Sequence, residues 1–148
     1  MEGSNQPIIV EQLFNASAEI VWQALTQVDQ MRQWFFGNIE SFNPEVGFET
    51  QFLVQTPERR FLHLWKLTEV IPEKKIKYDW KYGGYPGEST VVFELFAVQD
   101  QTKLILTHQV IENFPSDIPE FSRESGLQGW TYFIKERLVE FLQPKATL

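Results

Sequence analysis

Two histidines, His63 and His108, are the side chains of this sequence best suited to proton transfer or metal binding. A zinc site would need both close together with a carboxylate beside them, and a single strand histidine is more often a hydrogen-bonded structural residue. His108 shares a strand face with Leu104, Leu106 and Val110, so it can also orient a ligand in an apolar cavity. The pattern favours no metal centre and leaves His108 as a candidate polar contact.

The common catalytic motifs are missing from the sequence. It has no cysteine, and therefore no thiolate nucleophile, thiolate ligand or disulfide. It has no Gly-x-Ser-x-Gly elbow, phosphate-binding loop, dinucleotide fingerprint or His-Glu-x-x-His motif. The segment Gly83-Gly84-Tyr85-Pro86-Gly87 predicts a hairpin turn, with a mobile lip over a pocket as the alternative. We predict no catalytic residue and no cofactor.

The acidic residues are numerous but scattered. Glu49, Glu69, Asp79 and Glu94 fall at strand ends or on outward faces, so no pair of carboxyls faces one site. The 20 acidic residues outnumber the 13 basic ones, and the formal net charge is -7. Nucleic-acid binding depends on clustered Lys and Arg, so a nucleic-acid partner is not expected.

The clearest strand is Lys75 to Tyr82, in which aromatic and charged residues alternate. This period of two predicts one buried and one solvated face. The buried face carries Ile76, Tyr78, Trp80 and Tyr82, and the solvated face carries Lys75, Lys77, Asp79 and Lys81.

Five further strands are predicted at residues 7–14, 48–54, 61–70, 89–98 and 103–110. Their connections are short, which favours antiparallel pairing. Two short helices follow the first strand, one capped by Ser17 and one capped by Asp29 and ended by Gly37. The first has a predicted apolar stripe from Ile20 to Val28, and in the second Met31, Trp34 and Phe35 face inward.

The last long segment, Phe121 to Leu142, predicts one amphipathic helix that closes over the sheet. Its apolar face is predicted to contain Leu127, Trp130, Ile134, Leu138, Phe141 and Leu142. Gly126 and Gly129 each cost about 1 kcal/mol against Ala in a helix, so they need a reason. Either the helix packs closely on the sheet there, or the glycines leave room for a ligand beside Trp130 and Phe133.

A length of 148 residues suits one domain, and we predict a single domain over residues 1–148. Met1 to Gln6 resembles no signal peptide, and no apolar run reaches the ~18 residues of a membrane span. With the lack of cysteine, these features predict a cytoplasmic protein without membrane insertion.

The order of these segments resembles the family of homologues of the activator of heat-shock protein 90 ATPase, in the superfamily of START and birch-pollen-allergen-like domains. The resemblance covers nearly the whole chain. It is carried by Val21-Trp22-Gln23-Ala24-Leu25-Thr26, Met31-Arg32-Gln33-Trp34-Phe35, Phe42-Asn43-Pro44-Glu45-Val46-Gly47, Glu69-Val70-Ile71-Pro72, Tyr78-Asp79-Trp80, the segment Thr102 to His108, and Gly129-Trp130. It implies an α+β helix-grip fold, with a curved antiparallel sheet around a long C-terminal helix and a cavity between them.

Together, the aromatic inner faces and the resemblance predict a protein that binds an apolar or aromatic small molecule. The predicted cavity-lining residues are Trp34, Phe52, Trp65, Trp80, Tyr82, Phe93, His108, Gly126, Trp130 and Phe133. Three alternatives stay open. The same residues can simply fill the interior. The protein can act as a co-chaperone on a heat-shock protein 90. It can also be an enzyme that uses His108 as the polar group of its cavity.

Overall fold

Six antiparallel strands and the helices that cover one face of their sheet make up the computed structural model, which describes residues 6–142. The elements are β1 (Ile8–Phe14), α1 (Ala18–Thr26), α2 (Val28–Trp34), β2 (Glu49–Gln55), β3 (Arg60–Ile71), β4 (Lys75–Gly83), β5 (Glu88–Val98) and β6 (Gln101–Glu112). The strand order is β1-β6-β5-β4-β3-β2. The α+β helix-grip architecture is therefore confirmed.

After β6, a connection of residues 113–122 leads to the last helix. It contains a short 3-10 turn (Pro119–Phe121). The last helix begins as α3 (Arg123–Thr131), widens into a π-helical segment (Tyr132–Leu138) and ends as α4 (Val139–Leu142). We call residues 123–142 the closing helix. Ser122 caps its start by accepting a hydrogen bond from the Ser125 amide, so the helix begins two residues later than predicted.

Alternation along the strands places the core between the sheet and the helices. In β4, Ile76, Tyr78 and Trp80 are buried, as predicted, whereas Tyr82, the fourth residue predicted for this face, is half-buried. The registers align these rings with neighbours on the same face: Trp65 lies opposite Trp80, and Ile76 lies opposite Phe93. Two register shifts mark bulges, which bend strands: Thr68 is the extra residue in β3 opposite β4, and Ile111 is the extra residue in β6 opposite β5.

Some helix predictions were wrong at their ends. Asp29 does not cap α2, because Gln27 both ends α1 and precedes α2, and Asp29 lies in the first turn instead. The helix ends at Trp34, before Gly37. Ile20 is 48% exposed rather than part of the buried stripe, which contains Val21, Ala24 and Leu25.

Leu127 was also wrongly placed on the buried face of the closing helix, because it is 37% exposed. The first turns face the sheet with Gly126, Gly129 and Trp130, and Leu127 lies 100° further round from Gly126. Glycine adds nothing to an apolar pattern, so the inward face was hidden at this end. Further along, Ile134 and Leu138 are fully buried, as predicted.

The first residues, Met1 to Asn5, and residues 143–148 lie outside the described part of the chain. The prediction of a single domain over residues 1–148 and the interpretation of the N-terminus therefore stay predictions. No helix within residues 6–142 is long and apolar enough to cross a membrane.

Candidate functional site

Two adjoining hollows lie between the sheet and the first turns of the closing helix. The larger, of about 460 Å³, lies beneath the connection of residues 113–122. The smaller, of about 250 Å³, extends towards β3 and β4. Both are lined by Tyr82, His108, Glu120, Phe121 and Gly126, so they adjoin through a common wall. We call them together the cavity.

Six of the ten predicted lining residues border this cavity, and the other four do not. Those that border it are Trp80, Tyr82, His108, Gly126, Trp130 and Phe133. The structure places Trp34, Phe52, Trp65 and Phe93 in the buried core behind the cavity wall, where none of them borders either hollow. That these ten residues contact a ligand remains a prediction.

Phe35, just after α2, lies between the packed core and the aromatic rings of the cavity wall. Its ring stacks on Trp34 at a centroid distance of 4.6 Å and on Trp65 at 5.7 Å. On its other sides it meets Phe133 edge-on at 4.9 Å and Trp130 at 5.6 Å. Filling and lining are therefore both present: aromatic rings fill the interior near α2, and they line a cavity near the connection.

A directed chain of hydrogen bonds crosses the cavity wall from the closing helix to the sheet. The Trp130 indole N–H donates to Nδ1 of His108 at 2.9 Å, so Nδ1 must be the bare nitrogen of a neutral ring. Nε2–H of His108 then donates to Oγ of Ser89 at 2.9 Å, and Ser89 donates to the Trp80 carbonyl at 2.7 Å. Both nitrogens of His108 are engaged, which leaves neither free for proton transfer in this arrangement.

Burial keeps His108 in this neutral form. It lowers the pKa of His108 to about 4, because the charged imidazolium would lose its hydration there. Ser89, its partner, is fully buried. His108 is therefore a hydrogen-bonded element of the wall at neutral pH.

The Tyr82 hydroxyl presents an unused proton at the cavity. It accepts a hydrogen bond from the Trp80 indole N–H at 2.9 Å, and its own O–H has no acceptor among residues 6–142. Burial raises the pKa of Tyr82 to about 12, outweighing the opposite effect of the hydrogen bond from Trp80. The hydroxyl is therefore a neutral donor.

His63 supplies the complementary acceptor. Its Nδ1 lies 3.2 Å from the Phe61 carbonyl, which can only accept, so Nδ1 carries the proton and Nε2 is bare. The ring is 6% exposed and borders the smaller hollow, and burial lowers its pKa to about 4. Nε2 has no hydrogen-bond donor in the described part of the chain. The sequence pattern suggested only a satisfied structural residue here, and only the ring's position at the cavity reveals the free acceptor.

An ion pair joins the β2–β3 turn to the connection at the edge of the cavity. Arg59 Nε lies 3.0 Å from Glu120 Oε1, and Thr56 donates to Glu120 Oε2 at 3.1 Å. Burial raises the pKa of Glu120, but hydrogen bonds from its own backbone, Arg59 and Thr56 outweigh this and lower the pKa overall. Glu120 is therefore an anion at neutral pH.

The two glycines of the closing helix have different roles. A Cβ on Gly126 would lie 2.9 Å from Cδ1 of Ile8, so Gly126 allows close packing on β1. A Cβ on Gly129 would meet nothing within 4 Å, and Gly129 borders the smaller hollow. Close packing thus explains Gly126, and open space explains Gly129.

Sequence reasoning missed an aromatic cluster at the mouth of the larger hollow. It consists of Phe61, Tyr82, Tyr85, Phe114 and Phe121, with ring centroids 4.8 to 5.8 Å apart in the contacting pairs. Gly87 makes room for Phe114, because a Cβ there would lie 2.3 Å from its ring. The available signals were Gly87 at the end of the predicted turn and two phenylalanines, Phe114 and Phe121, in a connection that contains two prolines. No sequence pattern indicated that these segments meet.

The positions of the side chains do not suggest a metal-binding site. No group of three His, Asp or Glu residues within residues 6–142 is arranged to hold a metal ion.

Solved structures of similar fold cover nearly all of the chain. The protein CV1439 from Chromobacterium violaceum has a TM-score of 0.76 and 20% identity, over 94% of this chain and 98% of that one. The Aha1 dimer from Colwellia psychrerythraea has a TM-score of 0.70 and 24% identity, over 93% and 96%. CalU16 from Micromonospora echinospora has a TM-score of 0.60 and 20% identity, over 93% and 76%. At these identities the likeness shows the fold.

No curated protein sequence matches the chain. The family model described as "Activator of Hsp90 ATPase homolog 1-like protein" matches residues 15–143, beginning at the residue that follows β1. The match includes α1, α2, the strands β2 to β6 and the helix that closes the cavity, and so the chain belongs to the Activator of Hsp90 ATPase homolog 1-like family.

Proposed function

We propose that this protein binds an apolar or aromatic small molecule in the cavity between the sheet and the closing helix. The observation that carries the proposal is a partly aromatic cavity of about 460 Å³ with an adjoining hollow of about 250 Å³. Small-molecule sites typically have volumes of roughly 300 to 1,000 Å³ and combine apolar walls with a few polar groups. Open space beside Gly129 further supports the proposal, because a helix gains nothing from glycine there otherwise.

The five tryptophans provide the test. The indole N–H groups of Trp80 and Trp130 belong to the cavity wall, whereas Trp34 donates to the Ala24 carbonyl inside the core. In an NMR titration with fatty acids, sterols and flat aromatic compounds, a cavity ligand should shift Trp80 and Trp130 saturably and leave Trp34 and Trp22 nearly unchanged. Equal shifts at all tryptophans, or none with any compound, would contradict the proposal.

A matched pair of variants adds a direct control. Gly129→Leu places an isobutyl group where open space exists, and should weaken ligand binding at least tenfold. Gln128→Leu adds a similar group to the exposed side of the same helix, and should leave binding unchanged. Equal affinity in the two variants would place the ligand elsewhere.

Co-chaperone activity is the second candidate, and the family match is what favours it. It predicts binding to the middle domain of a heat-shock protein 90 and faster ATP hydrolysis by that chaperone. Absence of both effects at high protein concentration would remove this candidate. The cytoplasm, as the compartment of either function, also stays a proposal, supported by the absence of cysteine.

A further inference from the structure

We propose that the cavity selects a neutral ligand with a hydroxyl group, seated where the Tyr82 O–H and Nε2 of His63 present a free donor and a free acceptor. This inference rests on the proposed function, because it specifies the ligand class of the same cavity. It concerns two groups on neighbouring strands, His63 on β3 and Tyr82 on β4, which lie directly opposite each other in the strand register.

The hydrogen bonds already made determine what each group still offers. His63 uses Nδ1–H on the Phe61 carbonyl, so only the lone pair of Nε2 remains. Tyr82 uses an oxygen lone pair on the Trp80 indole, so its O–H remains. Among residues 6–142 the Trp65 indole N–H is the one buried side-chain group without a hydrogen-bond partner, so Nε2 of His63 and the half-buried Tyr82 hydroxyl face space that water can enter. A ligand hydroxyl would take the place of that water and pair with both groups.

The two rings adjoin on the wall of the smaller hollow, so one small ligand there can lie against both. The rings of His63 and Tyr82 are 4.9 Å apart between centroids and nearly perpendicular. Trp80, whose indole N–H fixes the Tyr82 oxygen, has its ring 5.4 Å from that of His63. A hydroxyl is the simplest neutral group that can donate to the imidazole and accept from the phenol at a single atom.

The electrostatics disfavour an anionic ligand at this position. Burial lowers the pKa of His63 to about 4 and raises the pKa of Tyr82 to about 12, so both groups are uncharged at neutral pH. The Glu120 carboxylate borders both hollows. Arg59 is paired with Glu120. Arg123 borders the larger hollow but donates to the backbone carbonyls of Gln6 and Pro7.

Three ligands of nearly equal shape test the inference: 2-naphthol, 2-methylnaphthalene and 2-naphthoate, titrated against the full chain with the Trp80 and Trp130 indole signals as readout. We expect 2-naphthol to bind at least tenfold more tightly than either of the others. Equal affinity for 2-naphthol and 2-methylnaphthalene would overturn the inference and leave the proposed function standing. Preference for 2-naphthoate would also overturn it, and would indicate recognition by Arg123. If none of the three compounds binds, the inference is overturned. The proposed function fails only if the fatty acids, sterols and other flat aromatic compounds also do not bind.

Two variants assign the preference to the named atoms. Tyr82→Phe and His63→Leu should each reduce the preference for 2-naphthol over 2-methylnaphthalene to less than threefold. Tyr85→Phe is the control, because it removes a hydroxyl from the same aromatic cluster but from a ring that borders neither hollow. A full preference retained in Tyr82→Phe, with the variant folded by circular dichroism, would contradict the assignment. If His63→Leu does not fold, His63→Gln, which retains an acceptor, should keep the preference above threefold.

Discussion

The indole nitrogen of Trp130 lies 2.9 Å from Nδ1 of His108, and this contact joins the closing helix to β6 at the cavity wall. It makes His108 a neutral acceptor on one side and a donor to Ser89 on the other. Trp130 can donate to His108 only while Nδ1 is unprotonated, so protonation of His108 should break the hydrogen bond between them.

We predict that stability falls as pH is lowered from 6.5 to 5. Burial lowers the pKa of His63 and His108 to about 4, whereas in the unfolded chain each has the ordinary value of 6.5. Between these values the unfolded state binds more protons, so the free energy of unfolding decreases with falling pH, by up to about 1.4 kcal/mol per pH unit for each histidine. Urea denaturation at several pH values measures the slope. His63→Gln should roughly halve it, and a flat profile in the wild type would contradict both pKa shifts.

Trp34→Phe should destabilise the protein more than Trp65→Phe. Both rings are buried, but the Trp34 indole donates to the Ala24 carbonyl at 2.8 Å, whereas the Trp65 indole N–H is buried without a partner in the described residues. The two substitutions remove similar volume, and only the first leaves a carbonyl near the end of α1 unpaired. We expect a difference of about 1 to 2 kcal/mol in the free energy of unfolding. Equal losses in urea denaturation would show that the Trp34 bond contributes little.

Gly129→Ala should stabilise the protein by about 1 kcal/mol through helix propensity, because its methyl group meets no atom. Gly126→Ala should gain less or lose, since its methyl group must displace Cδ1 of Ile8 from 2.9 Å. Thermal denaturation of the two variants gives the comparison. A larger gain at Gly126 would show that the closing helix does not pack on β1 in this way.

Gly87→Ala should cost more stability than Gly84→Ala. Both glycines have positive φ, 118° and 83° respectively, so both variants carry backbone strain of about 1 to 3 kcal/mol. Only the Gly87 variant also collides with the Phe114 ring, at 2.3 Å, which should add at least about 1 kcal/mol. Chemical denaturation provides the measurement, with Gly84→Ala as control, and equal costs would mean that Phe114 moves freely.

Much of the fold could be predicted from local patterns. The period of two in β4 predicted the buried face of Ile76, Tyr78 and Trp80, because in a half-buried strand side-chain direction follows directly from residue order. Helix ends were less predictable. Gln27 follows the end of α1 and directly precedes α2, and its side chain makes no capping hydrogen bond to α2. Without a Ser, Thr, Asp or Asn cap, the sequence does not mark the start of α2.

The site depended on tertiary structure for a different reason. Sequence by itself determined that aromatic side chains face inward and that His108 lies among them. It could not tell that Phe35 would pack between Trp34 and Phe133 or that a cavity would remain beyond Phe133, because both depend on where α2 sits against the sheet. Nor could it tell that His63 retains a free acceptor, since that follows from which nitrogen meets the Phe61 carbonyl. Periodicity determines the face of an element, whereas cavities and free hydrogen-bonding groups arise only when several elements come together.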